Sequence, residues 1–142
     1  MIKSFRGQLA DEEQDTIRLS TKNGLTGYKI NKFQIMHVEP GQQDAEHTIK
    51  LYMYKQETVD NNIDFDDATL LGAAYLTDDK ATLGTTSTVI VFDNVTFNQD
   101  IFITHEDTGG SQPCNYYLEL EQVRLDLSEA TVATLKDMRG TE

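Results

Sequence analysis

The sequence predicts a mainly β protein: a single antiparallel β-sandwich, jelly-roll-like, ending in a short C-terminal helix or ordered tail. Three observations carry this expectation. Apolar side chains recur at every second position, β-branched and aromatic residues gather in short runs, and turn-favouring residues fall between the runs. Seven or eight short strands separated by turns suit a sandwich better than a parallel α/β sheet. With 142 residues the chain is one domain, 1–142, long enough to bury roughly 70% of its unfolded surface.

The elements follow in order. Residues 1–21 carry Phe5, Leu9, Ile17 and Leu19 beside Arg6 and Arg18, interrupted by the polar stretch Asp11 to Asp15. The part from Asp15 to Thr21 reads as a short strand. From Gly27 to Val38 the apolar phase slips by one, Tyr28 and Ile30 giving way to Phe33 and Ile35, which signals a β-bulge. Ile49, Leu51 and Met53 alternate with Lys50, Tyr52 and Tyr54, so both faces of that strand can be covered. Leu70 to Leu76 is a further candidate, with Gly72-Ala73-Ala74 permitting close approach. Thr88 to Phe92 has the composition of a buried strand, and so does Ile101 to Thr104. Tyr116, Leu118 and Leu120 oppose Tyr117, Glu119 and Glu121; the phase then moves to Val123, Leu125 and Leu127, which predicts a second bulge near Glu121–Gln122. Asn23-Gly24, Pro40-Gly41, Asp60-Asn61-Asn62, Asp78-Asp79, Asp93-Asn94 and Gly109-Gly110 supply the turns. At the C-terminus Ser128 is a candidate cap, Glu129 sits in the first turn, Leu135 and Met138 are three apart, and Gly140 is a candidate stop. The β-branched Thr131, Val132 and Thr134 act against a helix there.

Charge narrows the function. The net charge is −12, from 24 acidic and 12 basic side chains, a field that repels phosphates and anionic headgroups. Neither nucleic acid nor a membrane surface is expected as a direct partner. The charge is uneven: six basic and four acidic residues give +2 over residues 1–38, so the remainder carries −14. Cys114 is alone, which leaves no internal disulfide framework, and the Met1–Arg6 start lacks the apolar run of a signal peptide. Synthesis in a reducing cytoplasm is the expectation.

No catalytic, cofactor or metal site is predicted. The alternating oxygens of Asp60, Asn62, Asp64 and Asp66, with Asp67 beside them, open like a calcium loop. Phe65 stands where that loop needs glycine and Leu71 where it needs glutamate, so residues 60–67 read as a solvated acidic connection. His37, His47 and His105 fall on different elements without ligand spacing and read as surface or rim histidines. Cys114 follows Pro113 in a turn, with no patterned base to activate it. Glu119 and Glu121 share a strand face, as paired carboxylates of a glycosidase would, but so do many solvated β faces. Tyr52, Tyr54, Tyr116 and Tyr117 suit either sheet packing or a contact face. The docking role falls instead to residues 1–21: Phe5, Arg6, Leu9, Ile17, Arg18 and Leu19 are the candidate subunit contacts. A chain-end segment of this kind either crosses to a neighbour by strand addition or forms an edge strand of its own domain.

Phe5-Arg6-Gly7-Gln8-Leu9, Gln14 to Thr21, Gly24 to Ile30, Phe97 to Phe102, Cys114 to Glu121 and Glu129 to Lys136 together resemble small virion proteins of marine tailed bacteriophages. The resemblance spans most of the chain but contains no mechanistic motif. It implies a component of the phage particle, made in the host cytoplasm and residing in the head. The expected role is a capsid decoration or cement protein that bridges subunits. Its partners would be the major capsid protein, copies of itself, or both. A tail- or fibre-associated module that binds a host receptor or glycan is the alternative, and it would be present in few copies instead of many.

Overall fold

A computed structural model describes the backbone of residues 1–82 and 84–140 and the side chains through residue 135, apart from residue 83. Eight strands and one helix follow in order: β1 (Ile2–Leu9), β2 (Gln14–Ile17), β3 (Thr26–His37), β4 (Ala45–Tyr52), β5 (Leu70–Asp79), β6 (Gly84–Val91), β7 (Ile101–Asp107), β8 (Cys114–Arg124) and α1 (Leu127–Gly140). They form two antiparallel sheets, β1-β8-β3 and β2-β7-β4-β5-β6. Inward side chains of both, among them Leu9, Ile30, Ile49, Leu51, Ile103 and Leu118, make one buried core.

The pairing is that of a jelly roll with one rung changed. A jelly roll is a long hairpin wound on itself, so the first strand should meet the eighth, the second the seventh, the third the sixth and the fourth the fifth. Here β1–β8, β2–β7 and β4–β5 pair as required. The third rung is open, because β6 hydrogen-bonds to β5 and not to β3. β3 and β6 lie near each other, and the outer edge of β3 is bridged at Tyr28 to Phe97 and not to β6.

Several expectations are corrected by the sheet. β6, which contains the apolar run expected to be buried, is exposed along nearly its whole length; Val89 and Ile90 are 38% and 42% exposed. β-branched residues favour a strand through their restricted χ1, but β6 is at the sheet edge and little lies over it. The bulge in β3 is present, between Ile30 and Lys32. The one expected in β8 is not: Glu121, Gln122 and Val123 continue in register with Lys29, Tyr28 and Gly27. The phase of β8 changes because its end turns apolar groups to the outer face, where Val123 and Leu125 pack with Ala130 and Ala133 of α1. α1 is capped by Asp126, not Ser128: Glu129 N donates to Asp126 Oδ1 (2.8 Å) and Asp126 N donates to Glu129 Oε1 (3.2 Å), a reciprocal capping box. The side chain of Met138 and the residues beyond Gly140 lie outside the described part.

The stretch from Asp15 to Thr21 is a strand only as far as Ile17. Leu19 remains buried because the Asp100 carboxylate accepts hydrogen bonds from Leu19 N (2.6 Å) and Ser20 N (2.8 Å) in place of a ladder. β5 is longer than expected and is paired on both sides, and Gly72 is needed there: an added Cβ would lie 3.2 Å from the Ile90 carbonyl oxygen.

Candidate functional site

The three histidines and the one cysteine of the chain meet in a single buried cluster. His37 ends β3 and lies directly across from Cys114, the first residue of β8, in the smaller sheet. His47 on β4 and His105 on β7 come from the larger sheet. The expectation of surface or rim histidines is therefore overturned, and Cys114 begins a strand instead of sitting in a turn; all four are at most 2% exposed. Period two explains the burial. His37 is in phase with Phe33 and Ile35, His47 with Ile49 and Leu51, and His105 with Ile101 and Ile103, so each ring takes the inward face.

The rings form a hydrogen-bonded relay. His105 Nδ1 lies 2.9 Å from the Ala10 carbonyl oxygen, His47 Nδ1 lies 2.8 Å from His105 Nε2, and His37 Nδ1 lies 2.7 Å from His47 Nε2. A carbonyl only accepts, so His105 Nδ1 carries a proton. For neutral rings that single fact sets the others: His105 Nε2 accepts from His47 Nδ1–H, and His47 Nε2 accepts from His37 Nδ1–H. The relay ends at His37 Nε2, a buried lone pair without a partner. Burial, reinforced by the neighbouring His105, depresses His47 to about 4, against partial opposition from Asp107. Burial also pushes the Cys114 thiol up to about 12. Cys114 Sγ lies 3.6 Å from the Met36 carbonyl oxygen.

The β1–β2 turn closes over this end of the sandwich. Besides the Ala10 contact, His105 N donates to the Glu13 carbonyl (3.0 Å) and Asp107 N to Asp11 Oδ1 (2.8 Å). The polar stretch Asp11 to Asp15 is thus part of the domain's own scaffold. Of the candidate contact residues, Leu9, Ile17 and Leu19 are buried in the core and Phe5 packs against it, while Arg6 and Arg18 are exposed.

A second feature is a groove of about 690 Å³ at the open rung. Gly7, Ile35 and Tyr116 of the smaller sheet line it together with Ser87 and Val89 of β6. Phe92 N donates to the Leu71 carbonyl at the end of the β5–β6 ladder. By antiparallel alternation, the N–H groups of Thr85, Ser87, Val89 and Val91 point away from β5. Tyr116 and Tyr117 both line the groove, whereas Tyr52 is buried in the larger sheet. Glu119 and Glu121 sit across from Lys32 and Lys29 on the outer face of the smaller sheet.

The 60–67 connection is largely exposed, in keeping with a solvated acidic segment, and three of its four carboxylates, those of Asp60, Asp64 and Asp67, also accept local hydrogen bonds. Asp60 pairs with the buried Lys50 ammonium at 2.9 Å, and Lys50 also donates to the Asn62 carbonyl at 2.6 Å. Asp64 accepts from Asp66 N, and Asp67 from Thr69 N and Oγ1. Asp60→Ala should lower stability by on the order of 2 kcal/mol, since it strands a buried cation, whereas Lys50→Met should be nearly neutral because Asp60 is half exposed. Urea unfolding of the two variants checks this; equal losses would contradict it.

The fold and cluster together define an eight-stranded jelly-roll sandwich with a buried His/Cys centre at one end and an open strand edge. No protein-family model matches the chain, and no curated protein does. Among solved structures it is similar to the VP1 protein of Trichodysplasia spinulosa-associated polyomavirus, determined in complex with 3′-sialyllactose. The identity is 8%, the match covers 85% of this chain and 93% of that one, and the TM-score is 0.45.

Proposed function

We propose that this chain is a structural component of a virus particle, a decoration or cement protein of a tailed-phage head that binds neighbouring subunits by strand addition at the open rung. One observation carries the reading. β6 is an exposed edge of eight residues, Gly84–Val91, with no charge, no proline and no bulge. Sandwich proteins ordinarily protect such edges, because unpaired N–H and C=O groups recruit another strand. On a chain of net charge −12, this neutral edge is also where a like-charged neighbour is least repelled. The occupant is an extended segment of the major capsid protein or of a second copy. It hydrogen-bonds to Ser87 and Val89 and sets alternate side chains against Ile35 and Tyr116. Arg6 lines the same groove, and Arg18 is exposed on the segment between β2 and β3. The resemblance to small virion proteins supports the same class.

The test is a copy count by quantitative mass spectrometry of intact virions, with wild type and Ser87→Pro. Proline at 87 removes an outward N–H and leaves the β5 ladder intact. The expected result is many copies per particle for wild type. Ser87→Pro should fold with a Tm within a few degrees and fall at least tenfold in occupancy. A low wild-type count would favour a tail or fibre module; undiminished occupancy of the variant would place the contact elsewhere.

A further inference from the structure

We propose that His47, His105 and Cys114 form a three-coordinate binding site for a thiophilic monovalent cation, Cu⁺, that joins the two sheets, with His37 as a positioning residue. The ligating atoms of the three lie within 4.8 Å of one another in the core. Two rings come from the five-stranded sheet and the thiol from the three-stranded one, so a bound ion would pin the sheets together at this end.

The surroundings have the form of an outer coordination shell. A metal-binding imidazole ordinarily hydrogen-bonds through its other nitrogen to a carbonyl or a similar partner, which selects the tautomer. His105 does so through Nδ1 to Ala10 O, leaving Nε2 to face the site. His47 does so through Nε2 to His37 Nδ1, leaving Nδ1 to face the site. The unpartnered His37 Nε2 then acquires a role. For His47 Nδ1 to ligate, its proton must leave. It can do so by a tautomer shift: His47 becomes protonated at Nε2, and His37 gives up its Nδ1 proton and carries one at Nε2. Every ring remains neutral. The only proton released to solvent is that of the Cys114 thiol, and the ion takes its place.

Charge and donor number select the ion. One thiolate with one Cu⁺ is neutral, which a site with no solvent exposure requires. Zn²⁺ would leave a net positive charge and seeks a fourth ligand in structural sites. Thiolate and imidazole donors in a set of three suit Cu⁺. With bonds of about 2.0 Å to nitrogen and 2.3 Å to sulfur, trigonal donors lie roughly 3.5 Å apart. His47 Nδ1 and His105 Nε2, now held at 2.8 Å by the shared proton, must separate by under an ångström or so, while Cys114 moves inward.

The experiment titrates the full, reduced chain with Cu⁺ against a colorimetric Cu⁺ chelator, after refolding in the presence of the ion so that burial does not limit entry. One equivalent should be retained, with a thiolate-to-copper charge-transfer band and a higher Tm. Cys114→Ser should weaken binding more than about 100-fold, and His37→Leu by roughly 10–100-fold with the band preserved. If either variant fails to fold, X-ray absorption of copper-loaded wild type decides instead: two nitrogens and one sulfur are expected. The proposal is overturned if the chelator strips wild type as readily as Cys114→Ser, if Zn²⁺ binds more tightly than Cu⁺, or if the absorption shows no sulfur ligand.

Discussion

Replacing Asp107 with alanine should remove about 2–3 kcal/mol of stability, a sizeable share of the total for a domain this size. The side chain is 3% exposed and accepts three backbone hydrogen bonds, from Glu46 N (2.8 Å), Gly109 N (3.0 Å) and Gln112 N (2.9 Å). Alanine removes the common acceptor of all three donors at once, in a part-buried turn where water can replace it only in part. Asp107→Asn retains one acceptor oxygen and should cost roughly half as much. Burial pushes the Asp107 carboxyl up, but these backbone donors more than offset it and hold it below the usual carboxylate value of 3.8. Its contribution is therefore complete above that value and is lost as pH falls through the lower folded one. Urea unfolding at neutral pH measures the effect; a loss under about 1 kcal/mol for Asp107→Ala would refute it.

Acid should weaken the metal-free protein well before the carboxylates respond. His47 is held neutral at about 4, against 6.5 in the unfolded chain. Its folded value is depressed, so the unfolded state binds the proton first. Stability is then complete above about 6.5, declines as pH drops, and levels off near 4. The total is on the order of 3 kcal/mol. The comparison is urea unfolding at pH 7.5 and pH 4.5 with chelator present, for wild type and His47→Gln. The variant should lose most of the slope. A wild type with no slope over that interval, or a variant that keeps the full slope, would show that the relay does not bear on acid stability.

Much of the fold was legible in the residues. Turn pairs such as Asn23-Gly24 and Pro40-Gly41 separate the strands, and Gly24 and Gly41 both take positive φ. The one-residue phase slip in β3 announced its bulge correctly. The same reasoning failed in β8, because a phase change also arises when a strand end turns its apolar groups to a second partner, and only the position of α1 distinguishes the two. The buried reading of β6 failed for a related reason. β-branched composition favours a strand, whereas exposure depends on which strand lies beside it and which face is covered.

The candidate site divides along the same line. Local pattern determined that the chain is a β sandwich and strongly acidic. The same period-two alternation sets His37, His47 and His105 in phase with core residues, but polarity alone placed them at the surface or rim, and burial corrects that. Tertiary structure alone decided that those faces are one face. Cys114 is 67 residues from His47 in sequence, and the four side chains come from four strands in two sheets. Their convergence depends on β3 and β8 being paired across from β4 and β7, a long-range arrangement that no spacing rule encodes. The open rung between β3 and β6 is likewise a matter of strand order, since β6 has the composition of a strand in either sheet and joins β5.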